Sequence, residues 1–248
     1  MLSVDDLSVD YGGAAVLSGA RFEAPRGGLT ALIGANGAGK STLLKALAGI
    51  VAARGAMRLD GDPFDPRSDV AYMPQDTSAA SGLTMLETVM LGRLRSLGWS
   101  TPPDVVADAA ALLDRFGLGP LAERPLHSVS GGQRQLAFLA QALLRRPRIL
   151  LLDEPTAALD LRHQLLVLEA VRADASARDI VVIAAMHDLG LAAQFADHVV
   201  CISGGEVAAT GAPGDVLTEA RIAETYGVTA SVAPVEGGLR ITPLAALP

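Results

Sequence analysis

Residues 29–49 read LTALIGANGAGKSTLLKALAG. The opening run, 29–33, is short and apolar, as a buried strand is. The next eight residues, Gly34, Ala35, Asn36, Gly37, Ala38, Gly39, Lys40 and Ser41, satisfy G-x-x-x-x-G-K-[ST] at every fixed position. Leu43, Leu44 and Leu47 then recur at helical spacing, and Gly49 supplies a stop. The composition follows from the chemistry of holding phosphate. Backbone amides must curl round an anion chain, so Gly34, Gly37 and Gly39 leave out the Cβ atoms and permit positive φ. The following helix points its positive end at the anion. Lys40 adds a charge for β- and γ-phosphates, and Ser41, followed by Thr42, offers a hydroxyl to Mg²⁺. An ordinary glycine-rich turn shares this composition but not the strand-loop-helix context.

Working outward, 248 residues suffice for one α/β domain or for one domain with an inserted lobe. No apolar run reaches the ~18 residues of a membrane span. The start, MLSVDDLSVDY, is acidic and alternating rather than a signal peptide, which predicts a cytoplasmic chain. Cys201 is the sole cysteine, so neither an internal disulfide nor a cysteine metal cluster can form; within the apolar run 198–202 it reads as a packing residue. A net charge of −7 argues against nucleic acid as a partner, and favours a protein partner over anionic lipid for any membrane contact.

Residues 1–9 read as an edge strand ended by Tyr11 and Gly12-Gly13, and 16–24 as a second strand. Short strands follow at 56–59 and 70–73, the latter ending at Pro74-Gln75. The pattern is helical from Thr84 to Arg146, with S/T-x-x-E/Q capping boxes at Thr84–Glu87 and Ser130–Gln133 and a helix from Pro103 to about Phe116. This predicts a nucleotide-binding core of residues 1–76 and 147–248 interrupted by a helical lobe, 77–146. Beyond it come the apolar strand 149–152, a helix over 161–173, the strand 180–186, a strand pair turning at Gly204-Gly205, a helical stretch 213–226 and a hairpin within 231–244 turning at Gly237-Gly238.

Strand 149–152 runs into Asp153-Glu154. An acidic residue at a second strand's end can hold Mg²⁺, which suits Asp153, and Glu154 can orient or deprotonate a water. Both should emerge at the carboxyl edge of the sheet, where open α/β folds bind ligands. His187 follows another buried strand and should reach the same edge, and Gln75 ends a third; taken singly, each could be structural. Ser130-Gly131-Gly132-Gln133 is a second anion candidate, because its serine caps a helix and its glycines bare the amides; an ordinary helix start explains it equally.

In this order, over nearly the whole chain, these motifs resemble the ATP-binding cassette (ABC) ATPases. That resemblance implies an α/β fold: a P-loop NTPase core with a mixed sheet, an antiparallel β edge and an inserted helical lobe. It implies that ATP and Mg²⁺ are bound, with Tyr11 stacked on adenine, Gly34 to Thr42 around the phosphates, and Gln75 linking core to lobe beside the metal. Ser128 to Gln133 is then the family signature, a motif no other P-loop family carries. Asp153 becomes the metal ligand, Glu154 the catalytic glutamate, Ala158-Leu159-Asp160 the dimer-contact loop and His187 the γ-phosphate histidine. Val129, Ala158 and Gln141 depart from the family's usual leucine, serine and arginine; none is a group assigned to chemistry. The resemblance further implies head-to-tail pairing with a second ATP-binding subunit, docking on transmembrane permease subunits, an extracytoplasmic binding protein, and a peripheral place on the cytoplasmic face of the membrane. His163-Gln164, Leu91-Gly92-Arg93 and Tyr226-Gly227-Val228 resemble importers of iron-siderophore, haem or vitamin B12. Importers of other solutes, a non-transport cassette for assembly or repair, and a nucleotide switch without turnover are the alternatives; Glu154 speaks against the last.

Overall fold

Burial along the strands separates two kinds of sheet. β1 (Leu2–Tyr11) and β2 (Ala14–Ala24) alternate, β1 burying Leu2, Val4, Leu7 and Val9, so each shows one face to the core. β3 (Leu29–Ile33) is buried at every residue, as a strand covered on both faces must be. The chain is described here from a computed structural model covering residues 1–76, 82–96, 102–157 and 159–247, with 94–96 as backbone alone.

Among the described residues, α1 (Lys40–Leu47), β4 (Arg54–Leu59), α2 (Pro66–Asp69) and β5 (Val70–Met73) follow. The helical stretch holds α3 (Met85–Met90), a 3₁₀ segment (Leu91–Ser96), α4 (Pro103–Arg115) and α5 (Gly131–Leu144). Then come β6 (Ile149–Asp153), α6 (Leu161–Arg178), β7 (Val181–Ala185), α7 (Leu189–Phe195), β8 (His198–Ser203), β9 (Glu206–Gly211), α8 (Pro213–Val216), α9 (Glu219–Tyr226), β10 (Val228–Val235) and β11 (Gly238–Ala246).

One sheet has the order β5-β6-β7-β3-β8-β9, parallel except for the antiparallel β8–β9 pair at its edge. A second, antiparallel sheet has the order β2-β1-β4. The expectation of an edge strand at residues 1–9 is therefore corrected. β1 is central, hydrogen-bonded on both sides, with Leu2 opposite Ala24 and Leu59. Alternation reports which face of a strand is buried, not how many neighbours it has, and β4 opens on Arg54-Gly55 and gives little apolar signal. The helix expected over 161–173 continues to Arg178, where Asp179 turns left-handed (φ 49°). The stretch 213–226 is two helices, because the Thr218 hydroxyl accepts from the Arg221 amide and starts a new one.

Each face of the parallel sheet carries its own apolar core. One packs Leu43, Leu44 and Leu47 of α1 and the inner face of the antiparallel sheet against Leu32, Leu151 and Ile183. The other joins Leu29, Ile33, Leu150 and Leu152 to Val167, Leu168 and Val171 of α6, and extends without a break to Leu136 and Leu139 of α5 and to residues of α3 and α4. The carboxyl ends of β3, β5, β6 and β7 thus share one edge, with α5 fastened across the sheet beside them.

Candidate functional site

At the end of β3, Gly34 turns the chain with φ 151°, where a Cβ would run into the carbonyl oxygen of Ile202 in β8. Gly39 holds φ 109° as the residue before α1, and a Cβ there would lie 2.8 Å from Leu17 Cδ2 in β2. The loop is wedged between the two sheets with α1's amides facing outward. Lys40 is 6% exposed, and its Nζ donates to the carbonyls of Gly34 (2.7 Å) and Ala35 (3.0 Å), which ties the loop into a ring. Burial pushes the Lys40 pKa down, opposed by the charges of Glu154 and Asp153.

β6 carries Asp153 to the same floor, 2% exposed. Its Oδ1 accepts from Ser41 Oγ at 3.0 Å and its Oδ2 from the Tyr72 hydroxyl at 3.1 Å. Tyr72 can reach because β5 lies parallel beside β6, with Tyr72 opposite Leu151. Burial, reinforced by the Asp153 carboxylate, drives the Tyr72 pKa well above the usual phenol range, so it stays a donor. The next residue, Glu154, adopts a left-handed φ of 55°, yet its amide still donates to Ala185 O of β7 at 3.2 Å. Its carboxylate lies between two partners: Gln75 Nε2 donates to Oε2 at 2.8 Å, and His187 Nε2 is 2.5 Å from Oε1.

Tyr11, Asn36, Gly37, Gly39, Lys40, Ser41, Thr42, Gln75, Glu154 and His187 line one cleft of about 690 Å³. Gly34 and Asp153 sit behind its wall. Chemically the cleft offers an ammonium and helix amides for a polyphosphate, a hydroxyl beside a carboxylate for a hard cation, and a carboxylate bonded to an imidazole for moving a proton. The Ser41 and Asp153 oxygens, 3.0 Å apart, fit Mg²⁺, which takes few protein oxygens and completes its octahedron with water and phosphate.

The other predicted residues lie apart from the cleft. Ser130 is exposed at the start of α5; its Oγ accepts from the Gln133 amide (3.2 Å) and the Gln133 Oε1 from the Ser130 amide (3.1 Å), a closed capping box around Gly131 and Gly132. Val129 is buried behind it. Asp160, exposed, caps α6; the His163 amide (2.9 Å) and ring, both bonded to its carboxylate, hold its pKa below the usual value. Gln164 Nε2 donates to Thr156 O, so the His163-Gln164 pair braces the loop before α6. Ala158, in that loop, lies outside the described residues, as do 77–81 at the lobe's start. Leu91-Gly92-Arg93 packs on the end of α5: Arg93 Nε donates to Leu144 O at 2.9 Å, and Gly92 leaves room for Gln141 O.

Three contacts escape sequence reading. Tyr72 holds Asp153. Tyr226, which the sequence marks only within Tyr226-Gly227-Val228, accepts the Gly34 amide on its hydroxyl at 2.9 Å. Gln135, inside α5, donates from Nε2 to the Glu154 carbonyl at 2.8 Å. Each pair is 19 residues or more apart in the chain, and no local motif announces it.

A family model described as "ABC transporter" matches residues 17–157. A hemin import ATP-binding protein of Streptomyces coelicolor is 42% identical over 235 residues, covering 92% of this chain and 84% of that protein. A cobalamin import ATP-binding protein of Halobacterium salinarum is 38% identical over 255 residues, covering 98% of this chain and 63% of that protein. A solved structure described as a metal-chelate type ABC transporter, inward-facing, superposes with a TM-score of 0.83 at 27% identity, over 98% of this chain and 96% of its own.

Proposed function

This chain belongs to the ABC transporter family, and on that premise we propose that it powers import of a metal chelate, of the iron-siderophore, haem or corrinoid kind. It is a nucleotide-binding ATPase. Lys40 and the amides of the loop from Gly34 to Thr42 hold the β- and γ-phosphates, and Tyr11, half exposed at the mouth of the cleft, takes the adenine. Ser41 and Asp153 are the protein ligands of Mg²⁺, with Gln75 at its edge; when bound, the ion offsets charge on the phosphate oxygens. Glu154 accepts a proton from water as the water oxygen bonds to the γ-phosphorus. The bond from that phosphorus to the bridging oxygen breaks, leaving ADP and phosphate. Gln75 and His187 aim the carboxylate, and His187 then serves the γ-phosphate. The single observation carrying this is Glu154, held between Gln75 and His187 over the phosphate loop.

Ser130 to Gln133 and Asp160 act on the nucleotide of a second copy, paired head to tail. The exposure of Ser130, Gly131 and Asp160 outside the cleft supports that reading. ATP binding closes the pair and product release opens it, so the ligand biases a conformational cycle. The motion passes to permease subunits docked on the helical subdomain, 77–146, near Gln75 and the segment from Thr84, with 1–76 and 147–248 forming the core. An extracytoplasmic binding protein delivers cargo from the far side, and this chain lies peripherally on the cytoplasmic face. Among the described residues no helix is long and apolar enough to cross a membrane. The haem and cobalamin importers among its relatives support the cargo class.

The test is to reconstitute the chain with its permease and binding protein and add candidate cargoes. A haem, siderophore or corrinoid should stimulate ATP hydrolysis and restore growth of a deletion strain. Stimulation only by a sugar or an amino acid would overturn the cargo class and leave the ATPase reading intact.

A further inference from the structure

Gln135 sits in the second turn of α5 and is 4% exposed. Its Nε2 donates to Glu154 O at 2.8 Å, while its Oε1 is buried without a partner. A buried amide kept in place with half its hydrogen-bonding capacity unused asks for a reason beyond packing. Glu154 supplies one. Its left-handed backbone is an unfavourable conformation for a residue with a Cβ, and such strain persists only where surroundings fix it. Its amide is fixed by Ala185 O, and its carbonyl accepts from Gln135 and, more weakly at 3.3 Å, from the Ala157 amide. The peptide units that set the direction of the Glu154 carboxylate are thus pinned by β7 on one side and by α5 on the other.

We infer that Gln135 is a positioning residue that joins the signature helix to the base of the same chain. This rests on the reading above, in which the start of α5 caps the nucleotide of a second copy. Docking of Ser130 on that nucleotide shifts α5, and Gln135, about one turn along, carries the shift to the Glu154 carbonyl. Each chain then links two ATP sites, the one it caps and the one it hydrolyses, so engagement of its own signature loop adjusts the aim that Gln75 and His187 give the base.

Gln135→Met keeps length and removes the donor; Gln135→Glu keeps shape as a second variant. Steady-state ATPase, nucleotide binding and melting are measured on the full chain, and dimer trapping by ATP in the Glu154→Gln background. We expect kcat to fall about three- to tenfold, the size of one lost hydrogen bond, with KM changed by less than about twofold and the trapped dimer retained. An unchanged kcat in both variants overturns the inference. So does a joint loss of binding, trapping and thermal stability in both, which would make Gln135 a packing residue only. Failure of the dimer reading shows separately, as a wild-type rate per chain that does not rise with chain concentration.

Discussion

The starts of α1 and α5 use the same chemistry, bare amides after glycines, and are finished to different degrees. At α1 the counter-groups arrive from neighbouring strands: Asp153 and Glu154 from β6, Gln75 after β5 and His187 after β7 converge on Lys40 and Ser41. At α5 the side chains of Ser130 and Gln133 bond back to each other's amides, in the open. The difference teaches that parallel strands gather a site by themselves, because their ends share one edge, whereas a helix start off that edge receives no such counter-groups from its own chain; under the proposed function, a second copy supplies the nucleotide there.

The harshest probe of the finished half is Glu154→Gln. Losing the base while keeping shape and hydrogen bonds should cut turnover about a thousandfold and leave ATP bound, seen as an ATP-stabilised dimer on gel filtration. Wild-type hydrolysis would hand the role to His187. Next in size, Lys40→Ala should weaken ATP binding about a hundredfold with the fold kept, since a charged donor to the phosphates is gone. Mixing this variant with Ser130→Arg sharpens the contrast. In a mixed head-to-tail pair one composite site carries both lesions and the other none, so ATP trapping should return. Mixed dimers that trap no better than either parent would break it. The smallest effect comes from two capping boxes of like geometry, at Thr84 and Ser130. Thr84→Ala and Ser130→Ala should each cost about 1 kcal/mol, a melting shift of about 2–4 °C. Only Ser130→Ala should also slow ATPase, by about tenfold. Equal turnover in both would make the Ser130 box a plain helix cap.

Much of this was legible in the sequence because it is local. The phosphate loop, both capping boxes and the acidic pair after an apolar run are written within a few residues, and buried strands throw whatever follows them to one edge. The central place of β1 was not, since alternation is blind to a strand's second neighbour. Nor were the ties of Tyr72 to Asp153, Tyr226 to Gly34 and Gln135 to Glu154, which exist only once sheet order and helix docking are set. The motif at 91–93 and the pair at 163–164 were visible as patterns; their physical work, closing the end of α5 and bracing the loop before α6, was not.

The wedging of the phosphate loop reaches beyond chemistry. Gly34 lies against Ile202 of one sheet and Gly39 against Leu17 of the other, and the Ser18 amide donates to Gly205 O between them. Neither sheet can open far without dismantling the loop, so the two belong to a single cooperative unit. A bound nucleotide, holding the loop shut, should slow amide exchange in β2 and β8 together, which exchange measured with and without ATP would show. Fuel and fastener occupy the same place in this molecule.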